Sequence, residues 1–79
     1  MTQYTNSYAQ KAHEIIAPLM GELMTHSVLK IQAKKIGKDV ESLRMEDMPI
    51  LADSMKTGLA IFLGSDAAKN IALRIAQIK

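Results

Sequence analysis

The stretch Met48–Lys79, MPILADSMKTGLAIFLGSDAAKNIALRIAQIK, decides the fold class. Leu51, Met55, Leu59 and Phe62 recur at steps of three or four before Gly64, and Ala68, Ile71, Ala72, Ile75 and Ile78 do so after it. That spacing returns to one face of an α-helix on every turn. Gly64 is a natural helix stop, Ser65 a natural cap for the next helix, and Asp66 suits that helix's positive end. The stretch reads as a helix–turn–helix hairpin hinged on Gly64 and Ser65. Gly58 falls inside its first helix, where glycine costs up to about 1 kcal/mol relative to alanine. A close backbone approach by another helix is one reason to keep it.

Just upstream, Glu46 and Asp47 suit the positive end of a helix that starts between Met45 and Met48, and Pro49 is tolerated only in its first turn. The connector Gly37–Arg44 is polar apart from Val40 and Leu43, which are expected to plug back onto the core.

The N-terminal half carries a second stripe. Tyr4, Tyr8, Ala12, Ile15, Leu19 and Leu23 step at helical spacing, with Ile16, Met20, Met24 and Val28 in a row beside them. Thr5, Asn6 or Ser7 can cap its start. Gly37 can end it, with Lys34 and Lys35 in the last turn, where the helix dipole favours cations. Pro18 interrupts the stripe without shifting its phase. A proline there loses a hydrogen bond and meets the carbonyl of Glu14. Two readings follow: one helix from about Thr5 to Lys35 kinked at Pro18, or two helices meeting near Ala17. Ala17 is a poor cap and the phase is continuous, which favours the kinked helix. Such a helix spans roughly 46 Å at 1.5 Å per residue, about twice the length of either hairpin helix. A second chain would have to cover the remainder.

The expected fold is therefore all-α: a small helical bundle of three to four helices, with a long Pro18-kinked N-terminal helix packed on the C-terminal hairpin. Residues 1–79 form one domain in this reading, with 1–6 free to fray. No internal repeat stands out.

Composition sets outer limits. The chain has 79 residues, 48% of them hydrophobic, but only two Tyr, one Phe and no Trp. Its core must be aliphatic and rich in the six Met. Without cysteine, no disulfide can staple so small a chain, which leaves well-packed helices, a partner chain, or both. A net charge of +2 neither demands nor excludes nucleic acid. The first residues lack a basic stretch followed by an apolar run, and no apolar run reaches about 18 residues, so neither a signal peptide nor a membrane span is expected. These features fit the cytoplasm.

Few side chains suggest chemistry. His13-Glu14 lacks the second histidine, four residues on, of the zinc-protease helix motif, because position 17 is Ala. His13 then reads as a polar-face residue. His26, near Glu22 in sequence, reads as a hydrogen-bonded or half-exposed histidine. Two histidines thirteen residues apart do not make a metal site without a second chain or distant carboxylates. Gly64-Ser65-Asp66 begins a helix that could take an anion, but Asp66 opposes one, so it reads as a plain cap. Asp53-Ser54-Met55 is similar to the Asp-Ser-Leu motif of acyl carrier proteins, whose serine carries phosphopantetheine. The chain departs from that family in its net positive charge, in Lys56, and in placing Ser54 inside a helix rather than opening one. No cofactor, metal ligand set or catalytic group is assigned.

Two surfaces remain. Tyr8, Ile15, Leu19, Leu23, Met24 and Met55 are the candidate interface, with methionine suited to adaptable contacts or to filling a core. Lys30, Lys34, Lys35 and Lys38 are a candidate ridge for phosphates. The expected function is a non-catalytic protein–protein interaction or regulatory module acting as a homodimer. The alternative is a small basic helical protein that binds nucleic acid through the lysine ridge.

Overall fold

A computed structural model describes residues 4–78. Within them the chain forms four α-helices: α1 (Ser7–Met20), α2 (Glu22–Lys35), α3 (Met48–Leu63) and α4 (Ser65–Ala76), with a short 3₁₀ turn, Met45–Asp47, leading into α3. The all-α bundle expected from the sequence is what the chain adopts.

The cap of α1 is Asn6. Its side-chain oxygen accepts from the backbone N–H groups of Tyr8 (2.9 Å) and Ala9 (3.0 Å), two donors that have no partner inside the helix. The amide nitrogen of the same side chain donates to the carbonyl oxygens of Leu43 (2.7 Å) and Glu41 (3.3 Å). The Thr5 N–H donates to the Glu41 carboxylate at 3.1 Å. Thr5 and Asn6 are thus tied to the α2–α3 connector, and Tyr4 to α1 and α2; residues 1–3 lie outside the described residues.

The long kinked helix is replaced by two helices, and the break is at Gly21 rather than at Pro18 or Ala17. Pro18 lies inside α1, two residues before its end. Gly21 has φ 86° and ψ 163°, a region open essentially to glycine alone. Its N–H still donates to the Ala17 oxygen (2.8 Å), and its own oxygen accepts from the Thr25 N–H (3.1 Å). One residue therefore ends α1 and starts α2. A one-residue joint leaves the count of three and four intact while the axis turns, so the phase of the stripe does not report the break. The 46 Å rod is absent: the described residues measure 29 × 26 × 21 Å.

Gly64 repeats this device with φ 87° and ψ 159°. Its N–H donates to the Ala60 oxygen and its oxygen accepts from the Ala68 N–H, both at 3.0 Å. The glycine itself stands at the cap position of α4, and Ser65, expected as the cap, is the helix's first residue and makes no capping bond. At the other end of α2 the expected stop holds. Gly37 is left-handed at φ 79°, its N–H donates to the Lys34 oxygen (3.0 Å), and the Lys38 N–H donates to the Ala33 oxygen (2.9 Å), the paired bonds of a Schellman end.

One core draws on all four helices. Ala9, Ala12 and Ile16 from α1 and Leu29 and Ala33 from α2 meet Leu51, Met55 and Leu59 from α3 and Ala68, Ile71 and Ile75 from α4. Leu43 is buried and Val40 packs against the core, as expected of both. The α4 stripe is buried as read, Ile78 included. The α3 stripe loses Phe62, which is 59% exposed. The buried face of α1 is rotated toward Ala9 and His13, so Leu19 is exposed, as is Leu23 beyond the joint on α2. Gly58 faces a side chain, not a backbone: a Cβ there would lie 3.6 Å from Gln32 Nε2.

Candidate functional site

The inside of the α1–α2 corner is polar. His13, on the buried face of α1, is 2% exposed, against the expectation of a polar-face residue. Its Nε2 is hydrogen-bonded to the carboxylate of Glu22, the first residue of α2. On the other side of the ring, Nδ1 lies 2.9 Å from the hydroxyl of Tyr4, and the same hydroxyl lies 3.0 Å from Nδ1 of the half-buried His26. The phenol ring sits tilted against both imidazoles, with centroids 5.3 and 5.7 Å away. Tyr4 is held in place by its N–H, which donates to Gln10 Oε1 (3.0 Å).

The geometry orders the protons. A carboxylate only accepts, so Nε2 of His13 is the donor to Glu22. In the neutral ring Nδ1 is then an acceptor, Tyr4 donates to it, and Tyr4 oxygen accepts from the Nδ1–H of His26. The chain of donation runs His26 to Tyr4 to His13 to Glu22, across three segments of the fold. Burial, and then the negative charges of Glu22 and Glu41, push the Tyr4 hydroxyl up to about 12. The phenol is therefore held protonated, and the cluster by itself is a clasp rather than a nucleophile with its base. Next to it, Thr25 Oγ1 is buried and has no hydrogen-bond partner among the described residues.

A cleft of about 330 Å³ lies against the corner, lined by His13, Glu14, Ala17, Pro18, Gly21 and Glu22. Beside it is a wider, shallow groove of about 570 Å³ lined by Met20, Gly21, Glu22, Leu23, Met24 and Ser27. Met24 is exposed there and Leu23 is 85% exposed; Leu19, also exposed, lies two residues before Gly21 on α1.

The candidate interface is thus divided. Leu19, Leu23 and Met24 are exposed on either side of the Gly21 joint. Tyr8 and Ile15 are half-buried against the core, and Met55 is wholly inside it, filling space rather than offering contact. The candidate ridge also shrinks. Lys30, Lys34 and Lys35 are exposed, but Lys38 lies beyond the helix, half-buried, with Nζ 4.0 Å from the Asp47 carboxylate. Ser54 sits in the middle of α3 and donates to Gln32 Oε1 at 2.6 Å, which is a helix–helix tie and not a serine exposed at a helix start for a prosthetic group. Among the described residues no three His, Cys, Asp or Glu side chains gather as metal ligands, and no helix is long and apolar enough to cross a membrane.

Tyr4 was the residue that sequence reasoning missed as part of a site. It precedes α1, nine residues before His13, and no periodicity joins it to either histidine. Compared with protein families, curated proteins and solved structures, the chain matches none, so function is argued from its own side chains.

Proposed function

We propose that this protein is a cytoplasmic, non-catalytic protein–protein interaction module that works as a homodimer, joined through the apolar outside of the α1–α2 corner. The observation that carries it is Leu23, 85% exposed on the first turn of α2, with exposed Leu19 and Met24 beside the same joint. A large aliphatic side chain buried from water contributes about 1.5–3 kcal/mol, so three such residues in the open are costly to leave unpartnered. A second copy suits the patch because a two-fold contact sets the same surface against itself. Of the residues lining the groove only Glu22 is charged, and its carboxylate is already engaged by His13. The length of an uncovered helix no longer enters, since that helix is divided at Gly21. The lack of cysteine fits a reducing compartment.

Sedimentation velocity across the micromolar range tests the reading. A concentration-dependent dimer is expected, and Leu23→Glu should convert it to a monomer with unchanged helical circular dichroism. A wild-type chain that stays monomeric throughout that range overturns the proposal. A second reading keeps some footing in Lys30, Lys34 and Lys35, which are exposed along one helix. Binding to mixed DNA or RNA that weakens steeply with added salt would favour that reading instead.

A further inference from the structure

The polar clasp at the first corner has the donor set and the support of a metal centre. Three donor atoms from three segments converge: Nδ1 of His13 on α1, Nδ1 of His26 on α2, and the hydroxyl oxygen of Tyr4 ahead of α1. The oxygen stands 2.9 and 3.0 Å from the two nitrogens. Donors around a tetrahedral zinc, each about 2.0–2.1 Å from the ion, stand about 3.3 Å apart. The two oxygen–nitrogen contacts are therefore within a few tenths of an ångström of the spacing that donors to a shared ion take up.

The surroundings match as well. A ligating histidine usually gives its other ring N–H to a carboxylate, which fixes the ring and raises its basicity. Glu22 does this for Nε2 of His13. His13 is 2% exposed and bonded at both ring nitrogens, so its ring is fixed with Nδ1 toward Tyr4. The negative charges of Glu22 and Glu41, which disfavour a phenolate at Tyr4, favour a cation at the same point. We propose that Tyr4, His13 and His26 form a three-donor site for a first-row divalent cation, with zinc the best match and Glu22 as the carboxylate that orients His13. The two imidazoles bind as neutral rings, His26 carrying its proton on Nε2 instead of Nδ1, and Tyr4 binds as phenolate, its proton passing to solvent. Three protein donors leave one tetrahedral position for a water or a ligand oxygen. The site is independent of the dimer: it lies inside the corner whose outer face carries Leu23.

Zinc titration of the purified metal-free chain tests this, read by calorimetry and by the ultraviolet difference band of tyrosinate. One zinc per chain is expected, at micromolar affinity or tighter, with the tyrosinate band rising in step and the thermal midpoint moving up. Tyr4→Phe should abolish the band and weaken binding more than tenfold, while Tyr8→Phe should change neither. His26→Ala should weaken binding more than tenfold. Glu22→Gln should weaken it 10- to 100-fold and leave the band in place at saturating zinc. Wild-type protein that takes up no zinc overturns the site, whatever the variants do. So does zinc that binds without the tyrosinate band, or as tightly to His26→Ala as to wild type with both proteins folded by circular dichroism.

Discussion

At the first corner Gly21 turns the chain from α1 to α2, and the space inside is filled by imidazole, phenol and carboxylate. At the second, Gly64 turns the chain from α3 to α4 with a backbone within a few degrees of the first, and the space inside is filled by Leu59, Ala68, Ile71 and Ile75. The helices of the second pair pack together far more extensively than those of the first. The resemblance runs past the glycines. Moving along by 43 residues, the step from Gly21 to Gly64, carries buried Ala9, Ala12, Ile16, Thr25, Leu29 and Gln32 onto buried Ala52, Met55, Leu59, Ala68, Ala72 and Ile75. The chain is two copies of one helix–glycine–helix plan. The copies part company where His13, Glu22 and His26 correspond to exposed Lys56, Ser65 and Lys69. The shared part is backbone and core; the part that differs is chemistry, and it lies in the first copy.

The joint itself gives the largest expected effect. Apart from its own chain neighbours, neither glycine has an atom within 4 Å of where a Cβ would stand, so replacing it tests the backbone alone. Gly21→Ala and Gly64→Ala are each expected to cost about 1–3 kcal/mol, the penalty for a side chain in this region of φ and ψ. Urea denaturation should give nearly equal losses. If one variant loses much more than the other, the two corners are not equivalent joints and the pairing of the halves fails.

This also explains what the sequence could and could not disclose. The hairpin from Met48 onward was legible because its apolar residues are buried at helical spacing and its break falls on a glycine flanked by strong cap residues. The equivalent break in the first half was hidden by Pro18, the stronger-looking interruption three residues earlier, and by the unbroken phase across a one-residue joint. The repeat was invisible as a repeat because what is conserved between the halves is burial, not residue type: Thr25 answers to Ala68 and Gln32 to Ile75. The candidate site failed for a different reason. His13 was judged from its own helix, where it has a polar neighbour in Glu14, whereas its burial is decided by Tyr4 and Glu22, which lie on other segments.

The polar filling predicts a smaller effect and a pH dependence that the apolar corner lacks. Tyr4→Phe keeps the ring but leaves Nδ1 of His13 and of His26 without the hydroxyl between them, at a cost of about 1 kcal/mol. The hydroxyl titrates at 10.0 when unfolded and at about 12 in the fold. Between those values the unfolded chain has released a proton that the folded chain still holds, so stability falls as pH rises from about 10 to about 12 and levels off above. Below pH 10 the effect is absent. Chemical denaturation of wild type and Tyr4→Phe across that range should show the slope reduced in the variant. Equal slopes would mean that the clasp does not hold its proton more tightly than the open chain.

The smallest effect concerns the seam where the two copies meet, and it carries the opposite sign. Gly58 lies inside α3 facing Gln32 of α2, while Ser54, one turn earlier, donates to the same glutamine at 2.6 Å. A methyl group at position 58 would stand 3.6 Å from Gln32 Nε2, an ordinary contact with a side chain that can shift, and the backbone there is already helical. Gly58→Ala then removes the entropic disadvantage of glycine within a helix and should stabilise the fold by up to about 1 kcal/mol. A raised thermal midpoint with unchanged helical content is the expected result. A lowered midpoint would mean that Gln32 has no room to give, and that the seam between the halves, rather than either corner, is the most tightly constrained place in the molecule.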